Sequence, residues 1–206
     1  VGGAFNMVPK RADSEPLTRF TVGYENDGQA YGALDVGRRF GSADEFGVRM
    51  NLVGRQGEIA IDDQKRELRV ISLGTDYQSE RLRLSADLGY QDHYLDNPRP
   101  QVTPVGGVPL APDAAGNFAQ PWTFSDEQQL FGAIRAEFDI TDFASAWAAF
   151  GGRRGEEENR LANPSADATG AATAFRFDNT REDKILSADT GVRFEFRTGP
   201  IDHRLI

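Results

Sequence analysis

The stretch LTRFTVGYENDGQAYGALDVGRRFG, residues 17–41, decides the fold. Apolar residues recur at every second position before NDG, and the same alternation resumes after it, which is the period of a β-strand. The apolar positions are Phe20, Val22, Tyr24, Leu34, Val36 and Phe40, and the positions between them include Arg19, Tyr31, Asp35 and Arg39. The stretch therefore predicts a β-hairpin with one apolar face and one face that carries ionised groups.

The composition limits the classes of protein to which the chain can belong. Its 206 residues carry a net charge of −9, which argues against a nucleic-acid-binding surface, because such surfaces are basic. Cysteine is absent from the sequence, so neither a disulfide nor a thiolate metal site is expected. The sequence begins at Val1 and ends within an alternating segment. We therefore expect an internal fragment of a longer protein, in which a missing signal peptide says nothing about destination.

The two-faced pattern recurs along the chain and predicts further strands. The clearest repeats begin near Phe46, Leu82, Leu130 and Leu186. Two segments are less regular. Residues 67–77 have apolar side chains on both parities, and the alanine-rich residues 143–152 are compatible with a strand or a short helix.

The connections between these strands are of two kinds that alternate along the chain. Tight turns are predicted at 41–45, 78–81, 140–142 and 198–202, and longer connections at 26–29, 56–66, 95–128 and 158–184. Ten-residue strands tilted at about 45° span the hydrocarbon layer of a bilayer. With an apolar outer face, a charged inner face and loops of this kind, the pattern favours an outer-membrane β-barrel. A soluble β-sandwich, with its apolar faces packed together, is the alternative.

The N-terminal segment VGGAFNMVPKRAD, residues 1–13, departs from the alternation. Its part GGAFNMVPKRA resembles the closing motif of the plug domain in TonB-dependent outer-membrane receptors. The stretches ALDVGRRFG, FGVRMNLVGRQGE and LRVISLGTDYQSERLRLSADLGYQ resemble the barrel strands that follow this motif in the family. TGPIDHRLI, which contains His203, resembles a stretch of the siderophore-receptor branch.

This resemblance implies an all-β fold, an antiparallel up-and-down transmembrane β-barrel preceded by the last strand of a plug domain. The chain would hold about eight or nine strands of a barrel of about 22. Residues 1–15 would be the C-terminal end of the plug domain and a linker, and residues 16–206 the N-terminal part of the barrel. The short turns would face the periplasm and the long loops the outside.

The resemblance also implies transport across the outer membrane of a Gram-negative bacterium. The family captures a ligand at the cell surface, most often a ferric siderophore, and imports it with energy relayed by TonB. TonB would act through an N-terminal region outside this sequence, and the barrel would contact outer-membrane lipid and lipopolysaccharide. Iron would arrive with the ligand, so no resident cofactor is expected. Hydroxamate-type siderophores are preferred over catecholates on overall resemblance.

Two sets of residues are candidates for function. Aromatic residues of the long loop and its base are candidates for ligand contact, because aromatic faces bind apolar surfaces and cations: His93, Tyr94, Phe118, Trp122 and Phe124. The alternative is self-packing of the loop with an interfacial aromatic girdle. Charges on the inner face are candidates for contact with the plug or an anionic ligand: Asp35, Arg39, Arg49, Arg81, Arg83, Asp87, Arg135 and Glu137. The alternative is a solvated ladder of cross-strand ion pairs.

Other functions fit the sequence less well. A passive porin or adhesin barrel shares the strand pattern but does not need the segment GGAFNMVPKR. A soluble carbohydrate-binding β-sandwich is the third possibility. An enzyme is not expected, because the sequence lacks a G-x-S-x-G elbow, a phosphate loop and an H-x-x-x-H zinc pair. The two histidines, His93 and His203, would lie on opposite sides of the membrane.

Overall fold

The computed structural model describes residues 8–25 and 28–206, and these form one antiparallel sheet. The short strand predicted ahead of Pro9, with its Gly-Gly pair, lies outside the described residues, as do Asn26 and Asp27 in the first hairpin. The strands are β1 (Leu17–Glu25), β2 (Gln29–Phe40), β3 (Phe46–Glu58), β4 (Lys65–Gln78), β5 (Leu82–Asp96), β6 (Thr103–Pro104), β7 (Phe124–Thr141), β8 (Ala144–Ala166), β9 (Ala172–Thr198) and β10 (Ile201–Leu205).

The strands follow one another in an up-and-down order, which confirms the predicted fold class. Nine of the described strands form a continuous path from β1 to β10, and the two-residue β6 lies off this path and pairs in parallel with the end of β8. Turns of a few residues join the strands at one end of the sheet. At the other end the connections include residues 59–64 and the 27-residue loop 97–123.

Strand register places the apolar side chains on one face, which we call the outer face. Leu34 pairs with Leu52, Leu52 with Ile71, and Ile71 with Tyr90. No second layer covers this face in the described residues, and large side chains stay open, with Phe20 72% exposed. The buried apolar residues are alanines: Ala12, Ala144, Ala162 and Ala166. An apolar face without a protein partner is the expected property of a barrel wall that meets lipid.

The two irregular segments are both strands. In β4, Ile71, Leu73 and Tyr77 lie on the outer face opposite apolar residues of β3, whereas Leu68 and Val70 lie on the inner face. Residues 144–152 belong to β8 and alternate like the other strands, so the short helix considered for 143–152 does not form. In residues 8–25 and 28–206, no helix has the length and apolar character needed to cross a membrane.

The long loop predicted at 158–184 is wrong, because β8 and β9 continue as a paired hairpin that leaves only residues 167–171 as its turn. Its Asn, Asp, Ser and Pro residues resemble loop composition. Pairing with β7 ends at Arg160, so beyond that point β8 has a neighbour in β9 and the missing N–H of Pro164 removes no bond to β7. The predicted connections 56–66 and 95–128 also shorten, to 59–64 and 97–123.

Candidate functional site

The segment before β1 lies against the inner face of the sheet, the face opposite the apolar one. One row of that face runs across four neighbouring strands through Gly37, Arg49, Gly74 and Asp87, which the register places side by side. Glycines alternate with charged residues in this row. The row is therefore open enough to admit a chain and charged enough to hold it.

Side chains of the segment form ion pairs with carboxylates of the wall. The Arg11 guanidinium makes a two-point pair with Asp87, in which the Nη2–Oδ2 distance is 2.7 Å. The Lys10 ammonium lies 3.5 Å from Oδ2 of Asp35. The Lys-Arg pair of the N-terminal motif thus reaches two different strands, β2 and β5.

Two arginines of the wall donate hydrogen bonds to the backbone of the same segment. Arg49 Nη1 donates to the carbonyl oxygen of Arg11 at 2.9 Å, and Arg39 Nη1 donates to that of Ala12 at 3.0 Å. Each of these arginines is also held by a carboxylate of the wall. Arg49 makes a two-point pair with Asp35, at 2.5 and 2.7 Å, and Arg39 lies 2.8 Å from Asp76. We call Asp35, Arg39, Arg49, Gly74, Asp76 and Asp87 the cradle.

Glycine is required in the cradle by the close approach of the segment. A Cβ at Gly74 would lie 2.7 Å from Arg11 Nη1 and 3.2 Å from the carbonyl oxygen of Lys10. A Cβ at Gly37, in the same row, would lie 3.1 Å from the Arg49 Cδ and 3.7 Å from the Ala12 Cα. A side chain at position 74 would therefore displace the segment or its arginine.

The cradle charges are largely withdrawn from water. The side chains of Asp35, Arg49 and Asp87 are only 12%, 13% and 13% exposed. Removal of one partner from a buried ion pair costs about 3–5 kcal/mol, because the other charge is left without compensation. Arg11 is 28% exposed, so the cost at its pair with Asp87 should lie below that range.

The other four predicted inner-face charges do not contact this segment in the described part of the chain. Arg83 forms ion pairs with Glu137 at 3.0 Å and with Asp139 at 2.6 Å, and Arg135 lies 3.2 Å from Glu137. Arg81 lies in the turn before β5 and helps to line a cavity of about 460 Å³ with Arg83, Glu137 and Asp139. The eight charges therefore divide into a cradle group of Asp35, Arg39, Arg49 and Asp87 and this separate group near the short turns.

The five aromatic and histidine candidates do not form one surface. Tyr94 and Phe124 stack with their ring centroids 5.9 Å apart, but they have the strand parity of Tyr90 and so lie on the outer face. His93 lies on the inner face, opposite Glu127. Trp122 lies under the Arg176 guanidinium, which is 5.7 Å from the ring centroid, and Phe118 lies in loop 97–123.

Several residues of the inner face, the cradle and the segment bound to it were not among the residues predicted from the sequence. Phe175 and Phe177 lie on the inner face of the extended hairpin and are 62% and 40% exposed. Their alternation in TAFRF was a visible strand signal, but residues 158–184 were assigned to a loop. Lys10, Arg11 and Asp76 were not among the candidate residues, although Lys10 and Arg11 were part of the recognised motif.

Comparisons with known proteins agree with this architecture. No family model matches the chain. The ferrichrome receptor FcuA of Yersinia enterocolitica is 39% identical over 209 residues, which cover 100% of this chain and 27% of that protein. The crystal structure of the ferric preacinetobactin receptor BauA of Acinetobacter baumannii superposes with a TM-score of 0.90 at 32% identity, over 95% of this chain and 30% of that one.

A more distant structure shares the fold. The ferripyoverdine receptor of the Pseudomonas aeruginosa outer membrane superposes with a TM-score of 0.80 at 14% identity, over 95% of this chain and 27% of that one. At this identity the similarity concerns the fold alone. The chain thus spans about a quarter to a third of the length of the proteins it matches.

The two-faced sheet and the segment seated on its inner face define a stretch of transmembrane β-barrel wall with chain held inside the barrel. The fold and these similarities support a fragment of a TonB-dependent outer-membrane receptor of the ferric-siderophore branch. The family is found in the outer membrane of Gram-negative bacteria, where an apolar face of this kind is expected to meet lipid. The resemblance noted in the sequence is therefore confirmed.

Proposed function

We propose that the full-length protein binds a ferric siderophore at the cell surface and imports it to the periplasm with energy relayed by TonB. The observation that carries the proposal is the binding of residues 10–12 to charged side chains on the inner face of the wall. A passive porin has a water-filled lumen, whereas this lumen holds a specifically bound chain. The 39% identical relative, a ferrichrome receptor, supports the same function.

A charge-neutral ferric hydroxamate is the ligand class that we favour. Three singly charged hydroxamates balance Fe³⁺, whereas three doubly charged catecholates leave a trianion that needs free cations in its site. In the half of the inner face toward the long loops, three arginines are already paired with carboxylates: Arg55 with Glu25, Arg153 with Asp183, and Arg181 with Glu157. Iron is then cargo, and the proposal includes no resident cofactor.

The binding surface that we propose lies on the inner face near the long connections. Phe175, Phe177 and His93 are the residues of this face that we assign to ligand contact. The loop residues Phe118 and Trp122 and the outer-face pair Tyr94 and Phe124 stay predictions. In this orientation the short turns face the periplasm, and the polar outer face near the long loops lies at the level of lipopolysaccharide.

Growth of an iron-starved strain that lacks the gene tests the proposal. The strain is supplied with purified ferric siderophores of the hydroxamate and catecholate classes, with and without the gene on a plasmid. We expect growth on one or more hydroxamates to require both the gene and a functional TonB. Equal growth on every siderophore without the gene would refute the iron assignment, and a requirement confined to catecholates would refute the ligand class.

A further inference from the structure

We propose that the cradle is a fixed anchor, which keeps residues 10–12 attached to the barrel wall while the chain upstream of them is displaced. The inference rests on the proposed function, because an anchor is needed only where the upstream chain moves to let a ligand pass. It assigns the cradle residues a mechanical role, because the pairing of the strands within the sheet does not require their contacts with residues 10–12.

The contacts between residues 10–12 and the wall are reciprocal. Side chains of the segment, Lys10 and Arg11, bind carboxylates of the wall, while arginines of the wall bind carbonyl oxygens of the segment. The cradle residues come from four adjacent strands, β2 to β5, which are themselves joined by continuous backbone pairing. The segment therefore cannot leave with the distortion of any one strand.

The cradle is organised by contacts within the wall, without the segment. Asp35 orients Arg49, and Asp76 orients Arg39, so the two guanidiniums are already aimed when the backbone of residues 11 and 12 arrives. Charge-assisted hydrogen bonds of this kind are about twice as strong as neutral ones. Because the donors are fixed beforehand, little side-chain freedom is lost when they bind the segment.

The contacts with the wall are confined to a short stretch, residues 10–12. Ala12 is buried and Arg11 is partly buried, whereas Val8 and Pro9 on one side and residues 13–16 on the other are exposed. The described hydrogen bonds of Ser14 go to its neighbour Asp13 and not to the wall. A force applied from upstream would therefore be resisted at residues 10–12, which we call the holding point. A short link, residues 13–16, then leads to β1.

The test is a pulling experiment on the full-length receptor in a lipid bilayer, with the handle at its N terminus. A reference variant, Ala12→Cys with Gly37→Cys, covalently locks the holding point. A Cβ at Gly37 would lie 3.7 Å from the Ala12 Cα, which is within reach of a disulfide. The variant under test is Arg49→Gln with Asp87→Asn, and the control is Arg153→Gln, which breaks an inner-face pair with Asp183 outside the cradle.

We expect the receptor without substitutions to stop at the same extension as the oxidised reference, over the force range that displaces the upstream domain. The double variant should extend further, by at most about 17 Å, which is the fully extended length of the chain between Ala12 and the start of β1 at Leu17. The control should match the unsubstituted receptor. If the unsubstituted receptor already extends as far beyond the oxidised reference as the double variant does, at the force that displaces the upstream domain, the anchor is refuted.

A second variant keeps the test decisive if the double variant does not assemble. Gly74→Ala removes no charge but places a methyl group against Arg11 and Lys10, and it should give the same longer extension. The pulling measurement uses neither siderophore nor TonB. A failed anchor is therefore distinguishable from a failed growth assay, which would instead overturn the proposed transport.

Discussion

Arg11 and Asp87 form a two-point ion pair across 76 positions of the chain. Arg11 precedes the first strand, and Asp87 lies in β5, so five strands, β1 to β5, must pair in the correct register before the two groups meet. The pair therefore depends on assembly of the wall, and it fixes the point at which the N-terminal segment enters the barrel.

Loss of this pair should expose the segment to protease. We expect Asp87→Asn in the folded full-length receptor to raise the rate of trypsin cleavage after Arg11 by about ten- to a hundredfold. The loss of a hydrogen bond to a charged group costs roughly 1.5–3 kcal/mol, and cleavage follows the population of the opened state when opening and closing are fast. The rate is measured by mass spectrometry of the released peptide.

Asp183→Asn is the matched control for this prediction. It breaks the pair with Arg153 on the same face of the sheet, but it does not touch residues 10–12. Cleavage in this control should match that of the unsubstituted receptor. Equal cleavage in both variants would show that Asp87 does not hold the segment.

Gly74 should tolerate a methyl group less well than a glycine on the adjacent strand. A Cβ at Gly74 meets Arg11 Nη1 at 2.7 Å, whereas a Cβ at Gly54 has no heavy atom of a more distant residue within 4 Å. We expect Gly74→Ala to raise the rate of trypsin cleavage after Arg11 in the folded receptor, and Gly54→Ala to leave that rate unchanged. Cleavage is followed by mass spectrometry, and an unchanged rate in Gly74→Ala would contradict the close approach.

The fold was predictable wherever one face of a strand meets lipid. In β2, β3, β5 and β7 most large apolar residues recur at every second position and lie on the outer face, whereas the inner face carries mainly polar and charged groups. Val53 and Phe131 are exceptions that lie on the inner face. The alternation of apolar residues disappears where both faces of a strand are exposed to water. Residues 158–166 and 172–184 lie beyond the apolar band, and their polar composition resembles a loop although the backbone pairing continues.

The cradle was predictable only in part. Asp35, Arg39, Arg49 and Asp87 were recognisable as inner-face charges from their parity, but the row that joins Gly37, Arg49, Gly74 and Asp87 exists only in the register of four strands. Strand register depends on the turns and on the pairing of neighbouring strands, so it cannot be derived from the sequence of one strand. Tyr94 and Phe124 lie on the outer face because they share the parity of Tyr90 in the observed register. Their position beside a loop, on which the prediction of ligand contact rested, does not determine the face.

The inner face of the extended hairpin should contribute to ligand affinity. We expect Phe177→Ala to weaken the binding of a neutral tris-hydroxamate ferric chelate about two- to tenfold, because the burial of roughly 20–50 Å² of apolar surface against the ligand is worth about 0.5–1.3 kcal/mol. Phe150→Ala, on the outer face, is the control. Binding is measured by quenching of intrinsic fluorescence, and loss of affinity in Trp122→Ala but not in Phe177→Ala would assign the contact to the loop instead.

The turn of the same hairpin should be sensitive to acid. The Thr169 hydroxyl donates to Asp167 at 2.6 Å and the Thr169 N–H at 2.8 Å, with the Ala171 N–H at 3.2 Å, and these bonds hold the pKa of Asp167 below its ordinary value. A carboxylate with a lowered pKa in the folded state stabilises the turn at any pH above its unfolded pKa of about 3.9. That contribution is lost as the pH falls through the lower, folded value. We therefore expect line broadening of the Thr169 and Ala171 amide resonances below about pH 4, with no such transition in Asp167→Asn, whose side-chain amide does not titrate in this range. A transition of equal size in Asp167→Asn would assign the acid sensitivity to another group.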